Sequence, residues 1–241
     1  MAQYVYGKSV ILSLLKTQKK VEKLWIQKGR RDDEVERLAR SLGVNMEVTE
    51  RKHLDRLVNG NHQGYVALVE DYPTCTLKQL LETVQPGHQP LLVALDQLQD
   101  PHNLGAILRT AACAGADGLI IEKTRSVSLN ATVAKVSTGA IDIVPVAEVA
   151  NLSQTLIALK KEGYWVVGTS LKADRDYREV DYDMPVVLVI GSEGEGMRRL
   201  VEENCDILVK MPLENGMDSL NASVAAGIML YRIYDSRFPV R

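Results

Sequence analysis

Hydrophobic positions follow two rhythms along this chain. From Leu91 onward, unbroken apolar runs such as LLVAL (91–95), LII (119–121) and VVLVI (186–190) alternate with stretches whose apolar residues recur every three or four positions. Unbroken runs read as strands buried on both faces, and the longer period reads as helices with one apolar stripe. The pattern predicts strands at 91–96, 118–123, 164–170, 186–190 and 206–211, with helices over 103–114, 131–136, 152–161, 197–204 and 221–234. Such alternation predicts an α/β class with a mostly parallel sheet covered on both faces.

The front of the chain shows a shorter version of the same pattern. Helices are predicted over 9–18, 32–42 and 51–58, the second capped by Asp32 or Asp33, and strands at 23–27, 45–49 and 65–69. A unit of about 70 residues is small but able to hold its own core. Pro73, Pro86, Gly87 and Pro90 then punctuate a segment read as a connector with one helical piece at 77–84. The expected organisation is a domain at 1–72, a linker at 73–89 and a second domain at 90–241.

Composition narrows the class. The 241 residues are 46% hydrophobic and 25% charged, ordinary for a globular protein. No run reaches the roughly 18 apolar residues of a membrane span, and no signal-peptide pattern opens the chain, so no membrane is expected. Cys75, Cys113 and Cys205 are odd in number and far apart. They make neither a disulfide framework nor a zinc site, which predicts a cytoplasmic protein without a bound metal. The net charge of -2 hides an asymmetry: residues 1–80 carry 14 Lys/Arg against 10 Asp/Glu, and residues 81–241 carry 15 against 21. A basic front on an acidic remainder fits a polyanion-binding front, or simply a solvated surface.

Three segments carry polar groups beyond what their turns need, and each follows a strand. In α/β proteins ligands bind at the carboxyl edge of the sheet. The first is DQLQDPHNLGAILR (96–109), whose Arg109 lies off the stripe of Leu104, Ile107, Leu108 and Ala111, and whose Asn103 reads either as a helix cap or as a site residue. The second is IGSEGEGM (190–197), three glycines interleaved with Glu193 and Glu195. Its spacing fits neither G-x-G-x-x-G nor a P-loop, and its carboxylates disfavour a bare phosphate. The third is MPLENGMDSLNASVAAG (211–227), where Asp218, Ser219 and Asn221 are all cap-competent although one helix start needs one cap.

N-x5-R at 103–109, IGSEGEGM at 190–197 and Pro212 with Ser219-Leu220-Asn221-Ala222, in this order, resemble the SpoU (TrmH-type) ribose 2′-O-methyltransferases. The resemblance covers residues 91–241 and is nearest the 23S rRNA (guanosine-2′-O)-methyltransferase type. Tyr6-Gly7 and His62-Gln63-Gly64 make the front similar to a small ribosomal-protein-like RNA-binding domain. The resemblance implies a SPOUT fold with a deep trefoil knot, S-adenosyl-L-methionine as donor, and a homodimer. Its substrate would be 23S rRNA, with tRNA as the alternative. It implies donor contacts at Thr169, Ile190, Gly191, Glu193, Gly196, Met211 and Leu220. It implies catalytic roles for Arg109, Asn103, Glu193, Ser219 and Asn221, with Arg109 acting on the ribose 2′-OH. A non-catalytic RNA-binding protein of the same fold is the competing class, disfavoured because a pure binder has no need of Arg109, Glu193, Ser219 and Asn221 together. A nucleotide-binding dehydrogenase fails on loop spacing.

Overall fold

The computed structural model describes residues 2–16, 21–29, 34–70 and 72–240. The chain divides into two compact units, Met1–Tyr72 and Pro73–Arg241.

The first unit is built from β1 (Ala2–Tyr6), α1 (Lys8–Lys16), β2 (Val21–Gln27), α2 (Glu34–Ser41), β3 (Met46–Thr49), α3 (Arg51–Leu57) and β4 (Tyr65–Glu70). The sheet order is β1-β4-β2-β3, antiparallel at β1/β4 and β2/β4 and parallel at β2/β3. Leu24 and Ile26 pair with Ala67 and Tyr65, and all four are buried. On the other face Trp25 and Val66 pack with Leu54 of α3. Tyr4 and Tyr6 of β1 share the register of Leu68 and Val66 and remain exposed. The strand β1 (AQYVY) was not among the expected elements. The expected cap at Asp32 or Asp33 and the helix end at Thr17 and Gln18 lie outside the described residues.

The second unit is a parallel seven-stranded sheet in the order β7-β6-β5-β10-β8-β11-β9. Its strands are β5 (Leu91–Leu95), β6 (Gly118–Glu122), β7 (Val146–Val149), β8 (Trp165–Thr169), β9 (Arg175–Asp176), β10 (Val186–Ile190) and β11 (Ile207–Lys210). Every residue of β5, β6 and β10 is buried, as the unbroken runs predict. On one face Leu92, Ala94, Ile120, Val187 and Val189 pack with Leu152, Leu156 and Leu159 of α7 (Leu152–Lys161). On the other side α5 (Pro101–Cys113) packs against α6 (Ala131–Ser137) and α9 (Ala222–Arg237), and α9 also rests on β10.

Two expectations change. Residues 73–89 fold with the second unit rather than linking the two. Cys75 hydrogen-bonds β7 through Val146 O (2.9 Å) and Glu148 N (3.1 Å). Thr76 and Gln79 form a capping box for α4 (Leu77–Thr83), and Leu80 is fully buried where a side chain on Gly118 would collide with it. The prolines punctuate this segment, but its leucines decide where it packs. The helix expected over 197–204 shortens to α8 (Arg199–Glu202), because Met197 and Arg198 are held elsewhere.

Candidate active site

The chain runs outward from β5 through β6 to β7, then crosses to β8, and β10 fills the gap between β5 and β8. The loops beyond this switch point are where open α/β sheets bind ligands. All three polar segments of the sequence end there.

Asn103 is not the cap of α5. Asp100 holds that position, accepting from His102 N (2.9 Å) with Pro101 in the first turn. The Asn103 side chain, 5% exposed, is thereby released to donate from Nδ2 to Glu193 Oε1 (2.7 Å). Asn221 caps α9 through Oδ1, which accepts from Ser223 N (2.9 Å) and Val224 N (3.2 Å). Its Nδ2 lies within hydrogen-bonding distance of Glu193 Oε1 and of Asn103 Oδ1 (3.0 Å). Ala222 N adds a longer bond to Glu193 Oε1 (3.4 Å). Glu193 Oε1 is therefore the meeting point of all three segments, while Oε2 accepts nothing among the described residues.

The loop carrying Glu193 is a tight hairpin. Ser192 and Gly196 exchange two main-chain hydrogen bonds of 3.0 Å, and Gly194 and Gly196 sit at φ +84° and +72°. A Cβ on Gly191 would stand 2.2 Å from Gly196 C and 2.4 Å from Met197 N. Glycine at 191 is thus required by the loop's own backbone.

Beside this hairpin lies a cavity of about 260 Å³, lined by six of the expected donor contacts: Thr169, Ile190, Gly191, Gly196, Met211 and Leu220. Ser219 lines it too, but Glu193 does not. Arg109 is exposed on α5, six residues beyond Asn103 and so about 9 Å further along the helix axis. It lines no part of the cavity and has no hydrogen-bonding or ionic partner among the described residues. Several contributors were invisible in the sequence. Lys172 lines the cavity, as does Glu202, which accepts from Ser170 Oγ (2.6 Å). Cys205 packs close to Gly168, and burial pushes its thiol up to about 12, helped by nearby Asp206 and Glu202, so it is no nucleophile. Among the described residues no cluster of His, Cys, Asp or Glu could hold a metal ion, and no helix is long and apolar enough to cross a membrane.

A buried ionic group stands behind the hairpin. Arg198 donates from N and Nε to the two oxygens of Asp96 (2.7 Å each) and from Nη2 to Glu122 Oε2 (2.7 Å). Desolvation opposes its charge, but the hydrogen bonds to Asp96 and Glu122 hold its pKa above the ordinary arginine value.

The model of the SpoU rRNA methylase family matches residues 90–231, which contain every one of these groups. The chain belongs to that family. A second family model, RNA 2′-O ribose methyltransferase substrate binding, matches residues 4–75. The Bacillus subtilis protein YacO, named for the TrmH family of tRNA/rRNA methyltransferases, is 48% identical over 98% of this chain and 97% of its own length. Among solved structures, the SpoU methyltransferase AviRb from Streptomyces viridochromogenes, in complex with the cofactor AdoMet, aligns with TM-score 0.68 and 26% identity over 100% of this chain and 92% of its own. An AdoMet-bound rRNA methyltransferase from Sinorhizobium meliloti aligns with TM-score 0.65 and 26% identity over 100% and 88%. The methyl donor of the family is S-adenosylmethionine. The cavity suits it: Ile190, Val209, Leu213 and Leu220 offer apolar walls for a purine, and Glu195, Glu202 and Asp218 against one Lys172 favour a ligand bearing sulfonium and ammonium charges.

Proposed function

We propose that this protein methylates the 2′-OH of a guanosine ribose in 23S rRNA, using S-adenosylmethionine bound at the cavity beside the 191–197 hairpin. The observation that carries the reading is the convergence of Asn103, Asn221 and Ala222 on one oxygen of Glu193 at the rim of that cavity. When bound, the donor supplies a methyl group made electrophilic by its sulfonium. Thr169, Ile190, Gly191, Gly196, Met211 and Leu220 hold it by main-chain and apolar contact. Asn103 and Asn221 act by fixing Glu193, whose remaining oxygen serves as an acceptor for a hydroxyl of donor or RNA. Ser219, exposed at the cavity wall, orients the ribose.

As the ribose oxygen takes the methyl group, the C–S bond breaks to leave a neutral thioether, and the 2′-OH proton passes to solvent. Arg109 lowers the cost by stabilising negative charge on that oxygen and by holding an RNA phosphate, because a guanidinium keeps its own proton. The absence of a partner for its side chain among the described residues supports this role. The match of residues 4–75 to a substrate-binding family, the net positive charge of the front and the exposed Tyr4 and Tyr6 support RNA contact there.

The protein acts in the cytoplasm as a homodimer. The outward face of α9 supports the second copy, since Val224, Tyr231 and Tyr234 on it and Phe238 just after it are exposed. The path of the chain from β11 back to α9, against α5 and β10, supports a knotted C-terminal segment. Mapping 2′-O-methylation on rRNA and tRNA from cells lacking the protein tests the substrate. Loss of one 23S rRNA guanosine methyl is expected, and loss confined to tRNA overturns the rRNA assignment.

A further inference from the structure

The hairpin that walls the donor cavity is an improbable structure to find ordered. Three glycines in seven residues give it high conformational entropy when free. A ligand that had to order such a loop would lose affinity by doing so. Its first end is fixed by β10, with Asp96 N donating to Ile190 O (2.9 Å). Its second end is fixed by Arg198.

Arg198 is tied to two neighbouring strands at once. Asp96 immediately follows β5 and is fully buried, and Glu122 closes β6 at 3% exposure. Asp96 spends both oxygens on Arg198, one on its main-chain N and one on its Nε. Glu122 divides its own, one to Arg198 Nη2 and one to Leu152 N at the start of α7 (3.0 Å). One arginine thus ties the far end of the loop that follows β10 to the ends of β5 and β6. None of the three side chains lines the cavity. A buried ion pair contributes little net stability compared with apolar residues of the same volume, so its use here points to position rather than strength. The planar fork of arginine reaches both carboxylates, which a lysine ammonium cannot do with the same geometry.

We propose that Asp96, Arg198 and Glu122 form an ionic clamp of positioning residues that pre-orders the 191–197 hairpin before the donor arrives. The inference rests on the reading of the cavity as a donor site, and its test separates the two. Wild type, Arg198→Lys and Arg198→Met are compared by calorimetric titration with S-adenosylmethionine, by RNA binding, by melting temperature, and by amide hydrogen exchange at 191–197 without donor. Losing one or more hydrogen bonds between charged groups corresponds to about tenfold to a hundredfold weaker donor binding, the larger loss for Met. Hairpin exchange quickens in both variants, while RNA affinity stays within about twofold, because the front unit read as the RNA-binding part contains none of the three clamp residues. Lower melting temperature with unchanged hairpin exchange and donor affinity would overturn the clamp and leave a purely structural ion group. If Arg198→Met does not fold, Arg198→Lys decides alone on the same two readouts. If wild type fails to bind S-adenosylmethionine, the donor-site reading falls, and hairpin exchange still reports whether the clamp orders the loop.

Discussion

The two ends of the seven-stranded sheet both gather polar side chains, and they use them in opposite ways. At the amino end a hollow of about 640 Å³ opens among His88, Cys113, Arg237 and Phe238. Its two basic side chains, His88 and Arg237, are already spent on the fold. Asp117 accepts from His88 Nε2 and from Leu91 N, both at 2.8 Å. Arg237 donates to the carbonyls of Tyr182, Pro90 and Met184, and burial pulls its pKa below the arginine norm. At the carboxyl end the cavity is smaller, about 260 Å³, yet the side chains of Lys172, Glu195 and Asp218 on its wall and of Arg109 on α5 make no hydrogen bond among the described residues. Volume alone would choose the wrong end. Uncommitted charges of both signs, together with their position beyond the carboxyl ends of the strands, favour the smaller cavity.

The largest expected effect tests the carboxyl end directly. Arg109→Ala should lower methyl transfer by about a hundredfold to a thousandfold, the scale for losing one charge-stabilising group. Donor affinity, read by calorimetry, should hardly move. Equal collapse of donor binding would remove Arg109 from the chemistry. The converse experiment is Arg237→Met at the amino end. Loss of three hydrogen bonds from a charged group should cost about 3 kcal/mol in denaturant unfolding. Donor affinity of the folded fraction should stay unchanged, and any selective loss of it would break the contrast between the two ends.

Gly191→Ala sharpens the contrast at the hairpin. The added methyl overlaps the main chain of Gly196, and overpacking of this kind costs about 1–3 kcal/mol, felt as weaker donor binding in the same titration. The smallest effect concerns Cys205. With its thiol pushed up to about 12, iodoacetamide at pH 8 should modify exposed Cys113 and spare Cys205, as peptide mass mapping would report. Because burial raises this pKa, the folded state holds the proton more tightly than the unfolded chain. Its stability contribution is therefore complete below the ordinary thiol range and declines as pH rises toward 12.

How much of this was readable beforehand depends on the kind of interaction. Fully buried strands are legible, because VVLVI or LLVAL has no alternative that hides every residue. The polar excess after β5, β10 and β11 was legible for a similar reason: Asp218, Ser219 and Asn221 exceed one cap. Which residue caps is another matter. Asp100 and Asn103 are both competent, and Pro101 in the first turn was the available sign that Asp100 does so. The Arg198 group was not legible as a unit. Its members lie 102 and 76 residues apart, and only the insertion of β10 beside β5 brings them together. The sign was there in part, since Asp96 and Glu122 each close an entirely apolar run, and a buried carboxylate requires a partner. Glu193 was expected to face the ligand, whereas one of its oxygens is consumed in joining the three segments.

The double engagement of Asn221 couples biosynthesis to competence. One side-chain oxygen starts α9, and the amide nitrogen on the same side chain completes the polar junction at Glu193. The first turn of the last helix and the last bond of the site therefore form in a single event. The junction cannot close until the first turn of α9, residues 221–224, has coiled. A chain that stops before Asn221 leaves Glu193 without two of its three donors, Asn221 Nδ2 and Ala222 N. Fraying of that helix start would release both donors from Glu193 together.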